Sequence, residues 1–298
     1  MNLARLALIV FYIGLPATLL AELSNGDLPS ARWYAHVDLV EMRSSDAGRE
    51  LYNWLDEEVF EELRDQIGFD ADQEADTITA LATSEGGTIV VIDGEFSDET
   101  ADKIVAIAAL ASDFDTLNHN GKAYYQIEDE PDDHDRQSFD NVAFMSVALD
   151  NKLLVTASKD QMQQLLSSNG KIPGDYDDDG ALIVLRGDKN FVQAGMQTNS
   201  FDDMGWDSNI LRNTEQLALL VSDSSGLLAV QAELIAAEAE MANSLASIAR
   251  GLISLAAFSD EVDPEIASFL NATEVEVSGS TLTVSVTLDA EILVEAMD

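Results

Sequence analysis

Asp175-Tyr176-Asp177-Asp178-Asp179-Gly180 puts carboxylates at the first, third and fifth positions of a turn and glycine at the sixth. This is how an EF-hand calcium loop opens: a hard dication collects oxygen ligands, and the glycine lets the chain bend sharply. The match ends there. Position twelve is Arg186, where the loop needs a bidentate glutamate, and the residues after Gly180 read as a strand. Asp175, Asp177 and Asp179 are the candidate metal ligands, with calcium as the cation. The competing reading is an acidic linker turn, common in so acidic a chain.

His36 and Asp38 lie two apart in an alternating apolar stretch, so a strand places both on one face. Such a pair can begin an acid–base or metal site, or serve only as a hydrogen-bonded structural pair. The other histidines, His119 and His134, fall in predicted loops, and no metal-ligand spacing joins the three. Asp129, Glu130, Asp132, Asp133 and Asp135 crowd one polar loop. A cation site needs rigid, converging ligands, so this reads as a solvated excursion.

No Gly-x-Ser-x-Gly elbow, phosphate loop or dinucleotide glycine fingerprint occurs. There is no cysteine, which removes disulfides, thiol nucleophiles, zinc–thiolate sites and a lipidated cysteine. A hydrolase working with two carboxylates remains compatible with the composition. Aromatics, which line many such clefts, are 7% of the chain. Trp33, Trp54 and Trp206 read as packing residues.

The elements that would position these residues centre on Glu215–Leu288. Two apolar runs, within Gln216–Asp223 and Leu227–Ile235, are joined by the turn cluster Ser222-Asp223-Ser224-Ser225-Gly226 and read as antiparallel neighbours. The period then changes. Met241, Leu245, Ile248, Leu252 and Leu255 recur at three and four residues, placing them on one helical face. Asp260–Pro264 breaks that helix, and Pro264–Leu270 adds another turn. Thr273–Val277 and Thr281–Thr287 form a hairpin around Gly279. A shorter copy of this order, β-turn-β-α-β-turn-β, spans Thr77–Glu128, with Ser97 as helix N-cap and Asn118–Gly121 as its second turn. The shared order points to duplication.

Elsewhere, Trp33–Met42 reads as a strand leading into a helix over Ala47–Ile67, striped by Leu51, Leu55, Val59 and Leu63. Phe69–Asp76 is an acidic connection. Val142–Leu149 and Lys152–Ala157 form a hairpin. Ser158 with Gln161 forms a capping box for a short helix ending at Asn169-Gly170. Lys171–Gly180 is the expected boundary, after which Ala181–Arg186 is a strand. Asn190–Asn213 is too rich in glycine and polar residues for a long helix. The expected fold is α+β: two related units, each an antiparallel sheet with helices on one face. The expected division is a signal peptide over 1–21, a first unit over 22–174, an acidic linker over 175–180 and a second unit over 181–298.

Arg5 followed by apolar Leu6–Leu20, with Ala21 before Glu22, reads as an export signal. Its apolar span falls short of the roughly 20 residues that cross a bilayer. Export to the periplasm or outside the cell follows, with no stable membrane insertion after cleavage. The formal net charge is −41. That excludes the basic footprint of a nucleic-acid binder and opposes anionic membrane surfaces. A solvated acidic surface suited to a salty setting accounts for the charge.

The strand Ala35-His36-Val37-Asp38-Leu39, the helix with Leu51, Trp54 and Leu55, and the terminal hairpin EVEVSGSTLTVSVTL together resemble secreted bacterial proteins built of duplicated α+β units. The resemblance covers most of the mature chain and implies a fold but no activity. The expected function is that of an exported, non-enzymatic envelope protein that binds or scaffolds an envelope or extracellular protein partner. The alternatives are a carboxylate-based hydrolase and a calcium-stabilised binding module.

Overall fold

The computed structural model describes residues 32–82, 87–110, 113–128, 142–172, 180–191, 214–257 and 264–297. The fold is α+β with antiparallel strand pairing. It comprises two compact units: one holds residues up to Leu39 together with Leu55–Tyr176, the other Val40–Trp54 together with Asp177–Asp298.

The first unit begins with β1 (Trp33–Asp38). The strand ends sooner than the alternation of Trp33–Met42 predicts. Leu39 and Met42, three apart and both fully buried, start a helix instead, α1 (Leu39–Ser44). The Leu39 N–H bonds to the Asp76 carbonyl at 2.9 Å, which fixes the turn out of the strand. All of α1 but Leu39, and α2 (Asp46–Leu55) up to Trp54, belong to the second unit; a π-helical turn (Asp56–Phe60) and α3 (Glu61–Ile67) continue the first. The predicted stripe of Leu51, Leu55, Val59 and Leu63 is buried. The π turn is the departure from a continuous α-helix. It rotates the chain so that the adjacent Val59 and Phe60 are both buried, while Glu57 and Glu58 stay exposed. Gly68 closes α3 in the left-handed conformation, φ 70°.

The predicted connection Phe69–Asp76 contains a helical turn, α4 (Ala71–Glu74), capped by Asp70. β2 (Thr77–Ala82), β3 (Thr88–Asp93), α5 (Asp98–Ala108), β4 (Asp113–His119) and β5 (Lys122–Glu128) follow in the predicted order. Ser97 caps α5 through the Thr100 N–H. The β4–β5 turn is shorter than predicted. Asn120 and Gly121, at φ 53° and 83°, complete a two-residue turn of the handedness that matches strand twist, which puts His119 on the strand. β6 (Val142–Leu149) and β7 (Lys152–Thr156) lead to α6 (Lys159–Ser167). Ser158 stands at its N-cap position, but its side chain makes no capping bond, so the predicted capping box is not formed. The stop at Asn169-Gly170 is formed, with the Gly170 N–H on the Leu165 carbonyl at 2.7 Å. The strand order is β1-β2-β3-β7-β6-β5-β4.

The second unit orders β8 (Ala181–Asp188), β9 (Thr214–Ser224), β10 (Leu227–Ala236), β12 (Thr281–Leu288) and β11 (Glu274–Ser278) side by side in that sequence. α7 (Ala239–Ala257) lies against β10, β11 and β12, and α8 (Pro264–Ala272) against α7 and β12. Proline at the first position of α8 suits a helix start, since its missing N–H would have no partner there. A last helix, α9 (Ala290–Met297), follows β12 and was not signalled by any strong periodicity. Its apolar residues Ile292, Leu293 and Val294 form too short a run to distinguish from a continued strand. A Ser225-Gly226 turn with φ 60° and 87° joins β9 to β10, the same solution as Asn120-Gly121.

Candidate functional site

The candidate calcium ligands Asp175, Asp177 and Asp179 lie outside the described residues, as do the acidic loop of 129–141 and His134. Among the described residues no group of three or more histidine, aspartate or glutamate side chains is arranged to hold a metal.

His36 is held across the β1–β2 ladder. Its Nδ1 lies 2.9 Å from Thr79 Oγ1, the residue directly opposite, and its ring stacks on Tyr34 at 6.3 Å. A cross-strand hydroxyl and a neighbouring ring fix the imidazole in place. This geometry fits the structural reading of the residue.

The most deeply set carboxylate is Glu74, 7% exposed, in a stretch that reads as a plain connection. One oxygen accepts from Thr100 Oγ1 at 2.7 Å and the Ser97 N–H at 3.0 Å; the other accepts from the Asp70 N–H at 3.1 Å. Burial pushes its pKa up. The bonds from Thr100, Ser97 and Asp70 together outweigh that and hold the carboxyl below its ordinary range. A general acid in a hydrolase needs the opposite shift. Glu74 thus ties the start of α5 to α4. Gly94 packs on the same place: a Cβ there would stand 2.0 Å from the Glu74 carbonyl oxygen.

His119 and Ser167 make a contact that sequence spacing did not signal, being 48 residues apart. His119 Nε2 sits 2.8 Å from Ser167 Oγ, the separation of a base and its nucleophile. The rest of the site shows another role. Ser167 donates its hydroxyl proton to the Gln163 carbonyl at 2.8 Å, and Asn120 Nδ2 lies 3.1 Å from the same His119 Nε2. Lys122 Nζ reaches the Leu166 carbonyl at 2.6 Å and Asn169 Oδ1 at 2.8 Å. These groups gather round the carbonyl end of α6, where partial charge is negative. An oxyanion finds no stabilisation there. The β4–β5 turn clasps a helix end.

The remaining feature is α7. Ala242, Leu245 and Ala246 in its first half are buried, with Leu245 and Ala246 packing on Leu282 beside Leu234, Val275, Val277 and Val284. In the second half the half-buried positions include Ala249, Ile253 and Ala256, and the predicted stripe turns outward. Ile248, Leu252 and Leu255 are 46%, 48% and 72% exposed, one above another at a four- and a three-residue step. Gly251 lies beside them, and among the described residues nothing outside its own helical turn comes within 4 Å of where its Cβ would be. From Met241 to Ala257 the helix has no acid and one charge, Arg250, which donates to the Val275 carbonyl at 2.6 Å.

No family model matches the chain, and no curated protein matches it. Among solved structures it is similar to TP0453. Crystal form IV gives a TM-score of 0.46 at 11% identity, covering 95% of this chain and 96% of that one. Crystal form III gives 0.45 at 11%, covering 94% and 96%. Crystal form I gives 0.45 at 10%, covering 95% and 96%. A likeness at that level carries no conclusion about activity or partners.

Proposed function

We propose that this is an exported, non-enzymatic protein of the cell envelope that works by binding a protein partner. The observation that carries the reading is the exposed apolar second half of α7. A protein with 56 acidic residues has ample means to keep a helix face wet. Three large aliphatic side chains exposed on one side of the acid-free stretch Met241–Ala257 are a docking patch in the making. The export signal over residues 1–21 supplies the address. The net charge of −41 turns away nucleic acid and anionic lipid. No helix among the described residues is long and apolar enough to cross a membrane.

The test is a photo-crosslinking residue in place of Leu255 in living cells, with a second at Asp115, on an exposed strand of the first unit, as control. The expected result is a discrete adduct from position 255 alone, lost when Leu252→Glu is added. Equal adducts from both positions, or none from 255, would overturn the reading. So would hydrolysis of an envelope polymer that disappears when one carboxylate is neutralised.

A further inference from the structure

We propose that Asn120 is a self-modifying site. The turn Asn118-His119-Asn120-Gly121 expels ammonia from the Asn120 side chain, leaves aspartate or isoaspartate at position 120, and so loosens the end of α6. In this reaction the backbone nitrogen of the next residue attacks the side-chain carbonyl carbon. That nitrogen must lose its proton, and the departing amide nitrogen must gain one. Glycine crowds the attack least, because it lacks a Cβ. Asn-Gly occurs three times in the chain, at Asn25, Asn120 and Asn169. The first lies outside the described residues.

Asn120 and Asn169 have almost the same φ, 53° and 54°, so that angle does not separate them. Their surroundings do. The Gly170 N–H bonds to the Leu165 carbonyl at 2.7 Å, and Gly170 is buried: a Cβ on it would stand 2.5 Å from Lys152 Cδ. The Asn169 side chain is held as well, its Oδ1 accepting from Lys122 Nζ at 2.8 Å. Both reacting groups are tied down. In the β4–β5 turn Asn120 and Gly121 are exposed, and beyond its chain neighbours nothing comes within 4 Å of where a Gly121 Cβ would be. The Gly121 N–H donates to Asn118 Oδ1 at 3.0 Å, an acceptor for the proton that the nucleophile sheds. Asn120 Nδ2 lies 3.1 Å from His119 Nε2, a ring nitrogen able to hand a proton to the leaving group.

Water is the only co-reactant, and nothing is oxidised or reduced. The bond from Gly121 N to Asn120 Cγ forms, the Cγ–Nδ2 bond breaks, and ammonia leaves with the proton that Gly121 gave up. One water then opens the cyclic imide. Opening at Cγ restores the main chain and leaves aspartate. Opening at the backbone carbonyl routes the main chain through Cβ and Cγ and leaves isoaspartate, one carbon longer. In a two-residue turn the loop length fixes the register of the strands. His119 and Lys122 are the register partners across it, and they hold Ser167 and the Leu166 carbonyl. A longer turn shifts both, and the last turn of α6 loses its clasp. Loss of ammonia is irreversible, so the change accumulates with the age of the molecule.

Peptide mass mapping of the purified protein, aged at neutral pH both folded and in urea, tests this. In the folded protein Asn120 should lose its amide at least about tenfold faster than Asn169, whose nucleophile must first break a buried bond. In urea the two rates should converge, and Asn120 should react no faster than it does folded. His119→Gln should slow Asn120 about tenfold in the folded protein and not in urea. Its Asn169 rate, unchanged, reports that the variant is folded. Ser167→Ala removes a contact of His119 but no reacting group, and should leave the Asn120 rate within about twofold of the parent, which separates proton delivery from the clasp. The isoaspartate form, recognised by carboxyl methylation with an isoaspartyl methyltransferase, should exchange the amide hydrogens in the last turn of α6 at least about threefold faster than the parent. An Asn120 rate that rises in urea would overturn the proposal, because the turn would then protect the pair. Equal folded rates at Asn120 and Asn169, or a His119→Gln protein reacting at the parent rate, would do the same. So would a modified protein whose α6 exchanges as before.

Discussion

In the second unit β10 and β12 pair directly; in the first, the strands at the same places, β3 and β5, are parted by the β6–β7 hairpin. Apart from that hairpin the two strand orders run in step: β1-β2-β3, then β5-β4, against β8-β9-β10, then β12-β11. The hairpin brings α6 with it. Met145, Leu154, Met162, Leu165 and Leu166, on these three elements, are almost wholly buried, as are Tyr124 and Ile127 on β5. In the second unit α7 is longer than α6 and buries less: Ala242, Leu245 and Ala246, with Leu282 on the sheet. The sheet with the extra hairpin carries a helix whose apolar residues are buried. In the other, three aliphatic residues of α7 stay exposed. An apolar face left open in one unit and closed in the other is a place to look for a partner.

The sharpest way to break this contrast is to cut into each core. Leu154→Ala should cost about 3–4 kcal/mol in a denaturant melt, and Leu245→Ala about 2, because a deletion in the deeper core leaves a larger cavity. Equal losses would show that the second unit is as tightly filled as the first. Next is Gly94→Ala, whose Cβ collides with backbone at Glu74 and should cost about 2–3 kcal/mol. Glu74→Gln should cost about 2 kcal/mol near neutral pH, by losing charge-assisted hydrogen bonds in a buried site. Its carboxyl titrates lower when folded than when unfolded. The stabilisation is thus complete above the ordinary value of 4.5 and lost as pH falls through the folded value. The variant should show a flatter acid limb than the parent when stability is followed from pH 6 downward. Leu255→Ser should change stability by less than about 0.5 kcal/mol, as for an exposed position. The smallest effect concerns the cation: melting temperature should follow ionic strength whether the salt is sodium, magnesium or calcium chloride. A rise specific to calcium that Asp177→Ala removes would assign Asp175, Asp177 and Asp179 to a metal.

The elements were largely legible because their signals are local. Asn120-Gly121 and Asn169-Gly170 each require positive φ, which few residues adopt, so turn and helix end show in the sequence. Ser97 announces α5 in the same way. Leu39 misled, because an apolar residue two beyond Val37 continues a strand pattern as well as it starts a helix. Glu74 and His119 were opaque for another reason. Each takes its role from residues 26 and 48 positions away, through bonds that no periodicity encodes. On α7 the spacing identified the helix but only part of its inner face: Leu245 is buried, whereas Ile248, Leu252 and Leu255 are exposed and the alanines Ala242 and Ala246 are buried instead. It held no information on what lies opposite, since an apolar stripe looks the same whether its cover comes from the same chain or from elsewhere.

The segment Val40–Trp54 belongs to the second unit although the chain enters and leaves it from the first. Synthesis runs from the N-terminus, so Met42 and Leu51, both buried in the finished molecule, are made more than a hundred residues before Leu182 and the rest of their unit. During that interval they wait without a core. It also follows that neither unit can be cut out as one continuous fragment: Asp177–Asp298 alone lacks a piece of itself, and the preceding chain carries that piece with nowhere to put it.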